Sequence, residues 1–277
     1  MRLKIYRQFG ALNSQPVFDA FSAGVLALGH EIVDTNEDVA VIWSVLWQGR
    51  MLKNQAVYQY CQNQNIPIMI IEVGNLLRGI TWRLSLGNIN GVGIFANQEN
   101  LDSERPEKLK IKLKPINENR SNDILIASQH KHSLQWEGMP SMEKWIEKTV
   151  KKIRQYSDRK IVVRPHPRSP IQLTSLSGVK IEIPKKLPES YDDFDIDYNY
   201  HCVINHNSGP AVQAAINGTP IICGNSSLAY PISGTIENLE NIILPPREEW
   251  FLKLTHTEWT LQELKLGIPQ ARIIATI

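Results

Sequence analysis

The chain has 277 residues, of which 42% are hydrophobic and 21% charged. This globular composition excludes a disordered chain, and the length suits one large domain or two smaller ones. A net charge of only +2 excludes a chain-wide polybasic surface, so any nucleic-acid contact must be local.

The order of elements reads as alternating strand and helix. Residues 3–7 form a first strand rather than a signal peptide. Residues 15–28 have helical spacing, with Asn13 or Ser14 as N-cap and Gly29 as stop. A short strand over 31–34 precedes Val39-Ala40-Val41-Ile42-Trp43-Ser44-Val45, whose unbroken apolar run fits a buried strand. A helix over 53–64 and a fourth strand over 67–73 complete this half. Residues 98–122 are rich in Glu, Lys, Asn and Pro and read as an exposed linker.

A second set then begins, with strands expected over 123–128, 161–164, 180–183, 202–205 and 220–223. An amphipathic helix is expected over 141–156, another after Ser208, and a helical tail over 246–266 with Trp250 and Trp259. This alternation implies α/β architecture with parallel sheets and right-handed crossovers. Two Rossmann-like domains facing a central cleft are the expectation, 1–120 and 121–277. No apolar run approaches a membrane span. Cys61, Cys202 and Cys223 are scattered without metal spacing, so a reduced, cytoplasmic protein with no resident metal or cofactor and no membrane partner is expected.

Chemistry concentrates at strand ends. The strand 160–164 empties into Arg164-Pro165-His166-Pro167-Arg168, where two prolines stiffen a cationic loop. Arginine grips phosphate oxygens bidentately, so Arg164, His166 and Arg168 suit a diphosphate. The strand 202–205 ends in Asn207-Ser208-Gly209 and turns into a small-residue helix. A helix N-terminus offers free N–H groups and partial positive charge. Gln213 lies within reach of a ribose, and Ser128 and Lys131 add donors after the first strand of this half. At the carboxyl edge of a parallel sheet these segments would converge on one ligand. The turn after the first strand, Gln8-Phe9-Gly10-Ala11-Leu12, lacks G-x-G-x-x-G, and no G-x-x-x-x-G-K-[ST] exists, which disfavours a dinucleotide oxidoreductase and a P-loop NTPase.

In the first half Glu72 interrupts an otherwise apolar strand that runs to Val73, and Gly74 follows. A carboxylate there is a candidate general base, or else caps the turn or pairs with Arg78 or Arg83. Arg78, Trp82 and Arg83 follow it, and Arg50 and Trp47 follow the neighbouring strand. Arginine mixed with tryptophan suits phosphate contact and base stacking, giving a candidate nucleic-acid surface of Arg50, Arg78, Trp82 and Arg83, with Lys53 on the same rim. The acidic stretch Asp192, Asp193, Asp195 and Asp197 reads as a solvated turn rather than a metal site.

The segments 164–168 and 207–222 are similar to the nucleotide-sugar half of GT-B glycosyltransferases, especially capsule-type sugar transferases and CDP-glycerol-type polymerases. There the corresponding segments bind the donor's phosphates. The stretches Arg247-Glu248-Glu249-Trp250 and 259–264 resemble small phage-encoded members of that class, and the likeness spans roughly residues 120–266. By position, 68–75 resembles the strand ending in the catalytic carboxylate of T-even phage DNA glucosyltransferases, with Glu72 where those enzymes carry Asp. The resemblance implies an inverting, metal-independent transferase with Glu72 as base and a UDP-linked sugar as donor. The implied acceptor is 5-hydroxymethylcytosine in double-stranded phage DNA. The alternatives are a transferase of cell-surface polysaccharide and a non-catalytic nucleotide-binding protein.

Overall fold

The computed structural model describes residues 1–172, 178–189 and 193–277. Asp192 lies outside the described residues. The chain divides into two compact units, one of Met1–Ile111, His132–Leu134 and Phe251–Ile277, the other of Lys112–Lys131 and Gln135–Trp250.

The first unit begins with β1 (Arg2–Ile5), α1 (Gln15–Ala27), β2 (Glu31–Ile32) and β3 (Val39–Trp43). It continues through α2 (Leu52–Asn63), β4 (Ile68–Val73), β5 (Thr81–Leu86), β6 (Ile94–Phe95) and α3 (Arg105–Lys108). The second contains β7 (Ile124–Ala127), α4 (Met142–Ile153), β8 (Ile161–Arg164), β9 (Val179–Ile181), β10 (Lys185–Lys186) and β11 (Phe194–Asp195). There follow β12 (Cys202–Asn205), α5 (Gly209–Ile216) and β13 (Ile221–Cys223). The tail holds α6 (Glu248–Thr255), β14 (Glu258–Thr260), α7 (Leu261–Lys265) and α8 (Ile268–Ile274).

In the first unit the sheet order is β14-β5-β4-β3-β1-β2, with β6 paired to β5. The strands β2, β1, β3 and β4 are parallel, whereas β5 runs antiparallel to β4, β6 and β14. Side chains alternate across a strand. Val39, Val41 and Trp43 of β3 therefore join Phe18, Phe21, Trp259, Leu264 and Ile273 in one core. Ala40 and Ile42 join Val57, Tyr58 and Cys61 of α2 in another. Both faces of β3 are covered, which explains its continuous apolar sequence. The tail packs here because Gly24 admits it. A Cβ at Gly24 would lie 2.1 Å from the Leu264 carbonyl and 2.8 Å from the Gly267 Cα.

Two expectations are corrected. The tail from Phe251 belongs to the first unit, not to the second half, because β14 pairs with β5 and Leu264 and Ile273 fill the first unit's core. The stretch beginning at Thr81 is a strand rather than part of an exposed loop.

The second unit has a parallel sheet in the order β13-β12-β7-β8-β9 and a separate antiparallel pair, β10 and β11. Ile124, Ile126, Ile161, Val163, Cys202 and Ile204 form its core with Met142, Ile146, Val150 and Ile153 of α4. Ser141 caps α4 by accepting from Lys144 N–H at 3.3 Å. The segment before β7 is fastened down as well: Lys114 N–H donates to the Ile216 carbonyl at 2.9 Å, and Arg247 Nη2 donates to the Lys114 carbonyl at 2.7 Å.

Buried histidines make both units acid-sensitive. His256 accepts from Asp102 N–H at 3.0 Å through Nε2 and uses Nδ1 on the Leu252 carbonyl at 2.9 Å. His201 Nε2 donates to the Leu239 carbonyl at 2.8 Å. Burial lowers the pKa of His201, His206 and His256 below the ordinary histidine value. A lowered folded-state pKa means the unfolded chain takes up protons first as pH falls. Stability is therefore full above about pH 6.5 and declines below it, by up to roughly 1.4 kcal/mol per pH unit for each histidine. Denaturant midpoints between pH 8 and pH 5 measure this, and His201→Asn should flatten the slope. Rising stability on acidification would contradict it.

Candidate functional site

Three parallel strands of the second unit deliver their following loops to one carboxyl edge, and hydrogen bonds tie those loops together. Ser128, after β7, accepts His166 N–H on Oγ at 3.0 Å. Lys131 N–H donates to Ser169 Oγ at 3.4 Å. Gln129 Oε1 accepts Asn207 N–H at 3.2 Å, and Asn205 Nδ2 donates to the Ala127 carbonyl at 2.8 Å. The loops after β7, β8 and β12 thus form one bonded rim. The loop after β13 joins it through Asn207 Nδ2, which donates to Ser226 Oγ at 2.9 Å.

The helix α5 begins on this rim. Ser208 occupies the N-cap position but makes no side-chain capping bond. Its Oγ instead accepts from Asn205 Nδ2 at 3.0 Å, while Ser208 N–H donates to Asn205 Oδ1 at 2.7 Å. The first turn of α5 thus lacks a side-chain cap, and the helix dipole favours an anion there. Asn207 is 8% exposed, yet its Oδ1 has no hydrogen-bond partner among the described residues. A buried acceptor left unpaired costs about 1–3 kcal/mol, so its position invites a ligand donor. Gly209 opens α5, and Gln213 lies half-buried in its second turn.

His166 is half-buried beside the rim, its ring edge-on to His130 at 5.2 Å. Its Nδ1 accepts Arg168 N–H at 3.1 Å, which leaves Nε2 to carry the proton of a neutral ring. Arg168 and Lys131 are exposed at the surface.

Arg164 is a correction. It is held inside the second unit, 5% exposed, rather than standing open on the loop. Its Nη2 meets Glu182 Oε1 at 2.6 Å and Tyr200 Oη at 3.1 Å, and Nη1 donates to the Asp197 carbonyl at 2.7 Å. Burial raises the Glu182 carboxyl, but the hydrogen bonds and charge of Arg164 outweigh it and hold the group below its ordinary value. Alternation along β8 puts Arg164 on the face opposite Ile161 and Val163, where Glu182, Tyr200 and the Asp197 carbonyl hold it.

In the first unit Glu72 sits half-buried at the end of β4. Oε2 accepts Ser44 Oγ–H at 2.6 Å, and Oε1 accepts Val73 N–H at 2.9 Å. Ser44 follows β3 and was missed by sequence reasoning. The available signal was a hydroxyl ending an apolar strand beside the one that ends in Glu72. The loop after Glu72 is fixed from the tail, where Glu258 is fully buried. Its carboxylate accepts Asn75 N–H at 2.6 Å, Leu76 N–H at 3.0 Å and Thr81 Oγ1–H at 2.9 Å.

The proposed nucleic-acid surface loses half its members. Arg83 is 6% exposed, paired with Glu258 at 3.4 Å and donating to the Ile89 carbonyl at 2.9 Å. Trp82 packs half-buried against the core, and Trp47 is buried 5.7 Å from Tyr58. Trp82 and Arg83 lie on β5, which is paired on both sides within the sheet. Arg50 and Arg78 are exposed, as is Lys53, whose Nζ lies 5.7 Å from the Phe9 ring centroid. Among the described residues no helix is long and apolar enough to cross a membrane, and no group of three or more His, Cys, Asp or Glu side chains could hold a metal ion.

A scan against protein-family models matches none, and a search of curated proteins finds no similar sequence. Solved structures do resemble the chain. The KpsC β-Kdo 2,7-transferase of Thermosulfurimonas dismutans superposes with a TM-score of 0.51 at 14% identity, covering 100% of this chain and 99% of that one. The KpsC β-Kdo 2,4-transferase of the same organism gives 0.50 at 11% identity, with 96% of this chain and 98% of that one covered. At such identities the likeness concerns the fold alone: this chain shares a mixed α/β architecture with these two structures.

Proposed function

We propose that this protein is a glycosyltransferase that moves a sugar from a nucleotide-sugar donor onto a hydroxyl of a glycan in surface-polysaccharide synthesis. The observation that carries the reading is the rim of the second unit. An uncapped α5 N-terminus stands beside a buried, unpartnered Asn207 Oδ1. The first suits a phosphate and the second a hydroxyl or amine of the same ligand. Kinship of fold with two Kdo transferases supports transfer as the chemistry. The polysaccharide acceptor is preferred to DNA because Arg83 is committed to the protein's interior and Trp82 is half-buried against the core.

In this reading the α5 N-terminus, His166 and Arg168 stabilise the charge that develops on the departing phosphate. Glu72 takes the proton of the acceptor hydroxyl as its oxygen bonds to the anomeric carbon, and the nucleotide leaves with the bonding electrons. Calorimetry with UDP, CDP, GDP and their sugars tests the donor site. Asn207→Ala should weaken the bound nucleotide by about three- to tenfold, the size of one hydrogen bond. Absence of binding by any nucleotide at millimolar concentration would remove the reading. Mass spectrometry of oligosaccharide acceptors incubated with the bound donor then identifies the sugar moved.

A further inference from the structure

We propose that Ser44 is a positioning residue that fixes the orientation of the Glu72 carboxylate. The proposal rests on the reading of Glu72 as the base. It starts from the backbone. Ser44 has φ of 63°, the left-handed region that disfavours side chains with a Cβ. Five other described non-glycine residues share a positive φ, namely Asn36, Asn65, Asn100, Lys110 and Glu189, and all five are exposed. Ser44 alone among them is buried, at 3% exposure, directly after a core strand.

The surroundings hold it there from several directions. Ser44 N–H donates to the Ile71 carbonyl of β4 at 2.8 Å. The preceding carbonyl, of Trp43, accepts Asn54 Nδ2 at 2.6 Å. On the far side Leu134 N–H reaches the Val45 carbonyl at 3.0 Å, and Trp47 N–H reaches the His132 carbonyl at 2.7 Å. Strained backbone persists only where neighbours over-determine it, and such positions cluster at functional sites.

Glycine would satisfy this conformation without strain, so the conformation does not explain a serine. The hydroxyl does. Its oxygen accepts Leu46 N–H at 3.1 Å, which occupies a lone pair and leaves the single hydroxyl proton for Glu72 Oε2 at 2.6 Å. The left-handed turn is what brings Oγ to the neighbouring strand end. With Val73 N–H on Oε1, each carboxylate oxygen has one donor among the described residues, and the plane of the group is set by one contact from its own strand and one from the residue after β3. Each oxygen keeps acceptor capacity for a substrate proton.

Ser44→Gly tests this, because it removes the hydroxyl and relieves the strain together. Ser44→Ala removes the hydroxyl and keeps the strain. The glycine variant should melt no lower than wild type and above the alanine variant. In its crystal structure Glu72 should occupy more than one rotamer. Both variants should lose roughly ten- to a hundredfold in kcat, with KM within about twofold of wild type, the pattern of a lost transition-state alignment. A Glu72 carboxylate that keeps its single orientation in Ser44→Gly overturns the proposal, as does full turnover in that variant. The crystallographic result needs no substrate, so it decides the positioning role even if no donor and acceptor pair gives transfer.

Discussion

Glu72→Gln is expected to lower sugar transfer by roughly 10²- to 10⁴-fold, the usual scale of general-base catalysis. Glutamine keeps the shape of the side chain and an oxygen that accepts the Ser44 hydroxyl at its present 2.6 Å position. It cannot take a proton from an attacking hydroxyl. In the proposed reading the donor contacts come from residues of the second unit, so nucleotide affinity should remain within about twofold of wild type. Transfer rate and nucleotide affinity measured on one preparation separate the two roles. Unchanged turnover would assign Glu72 to holding the turn at Val73 and Gly74, and joint loss of affinity and turnover would tie it to donor binding instead.

The largest loss of stability is expected from Glu258→Ala. The carboxylate is fully buried and faces Arg83, which is itself 6% exposed. Removing it strands the guanidinium in the interior, where among the described residues it keeps the Ile89 carbonyl as acceptor and Arg83 Nε is already unpartnered. Two backbone donors, of Asn75 and Leu76, lose their acceptor at the same time. Breaking a buried ion pair from one side costs about 3–5 kcal/mol. Glu237→Ala is the comparison, because its pair with Lys152 at 2.7 Å is exposed on both sides and should change stability little. Denaturant unfolding of the two variants beside wild type measures the difference. Equal midpoints would mean that the Glu258 cluster contributes no more than a surface pair. Since Glu258 anchors the loop that follows Glu72, a milder Glu258→Gln variant should also reduce transfer before it unfolds the protein.

Much of the α/β framework was legible because burial on both faces writes itself into a strand as an unbroken apolar run. The stretch 39–43 and the strand ends at Arg164 and Asn205 follow from that rule alone. The α5 start was legible for a similar local reason: Asn-Ser-Gly-Pro, one residue beyond a strand end, supplies N-cap residue types and a proline in the first helical turn. Thr81–Leu86 was not legible. Its sequence, Thr-Trp-Arg-Leu-Ser-Leu, hides a buried arginine that only makes sense opposite Glu258, some 175 residues away. A charged side chain in isolation reads as solvent-facing, and nothing local announces a distant partner.

The sequence by itself determined that strands and helices alternate, that apolar strands end in polar loops, and that Glu72 and the segment 205–209 stand at such ends. Those features depend on periodicity and on backbone capping, which act over a few residues. Only the tertiary structure decided which polar side chains remain available for chemistry. It turned Arg164 inward to Glu182 and Tyr200, seated the tail strand β14 beside β5, and brought Ser44 onto Glu72. These outcomes depend on pairings between residues far apart in the chain, where the cost of burying a charge is offset by a partner that the local sequence does not contain.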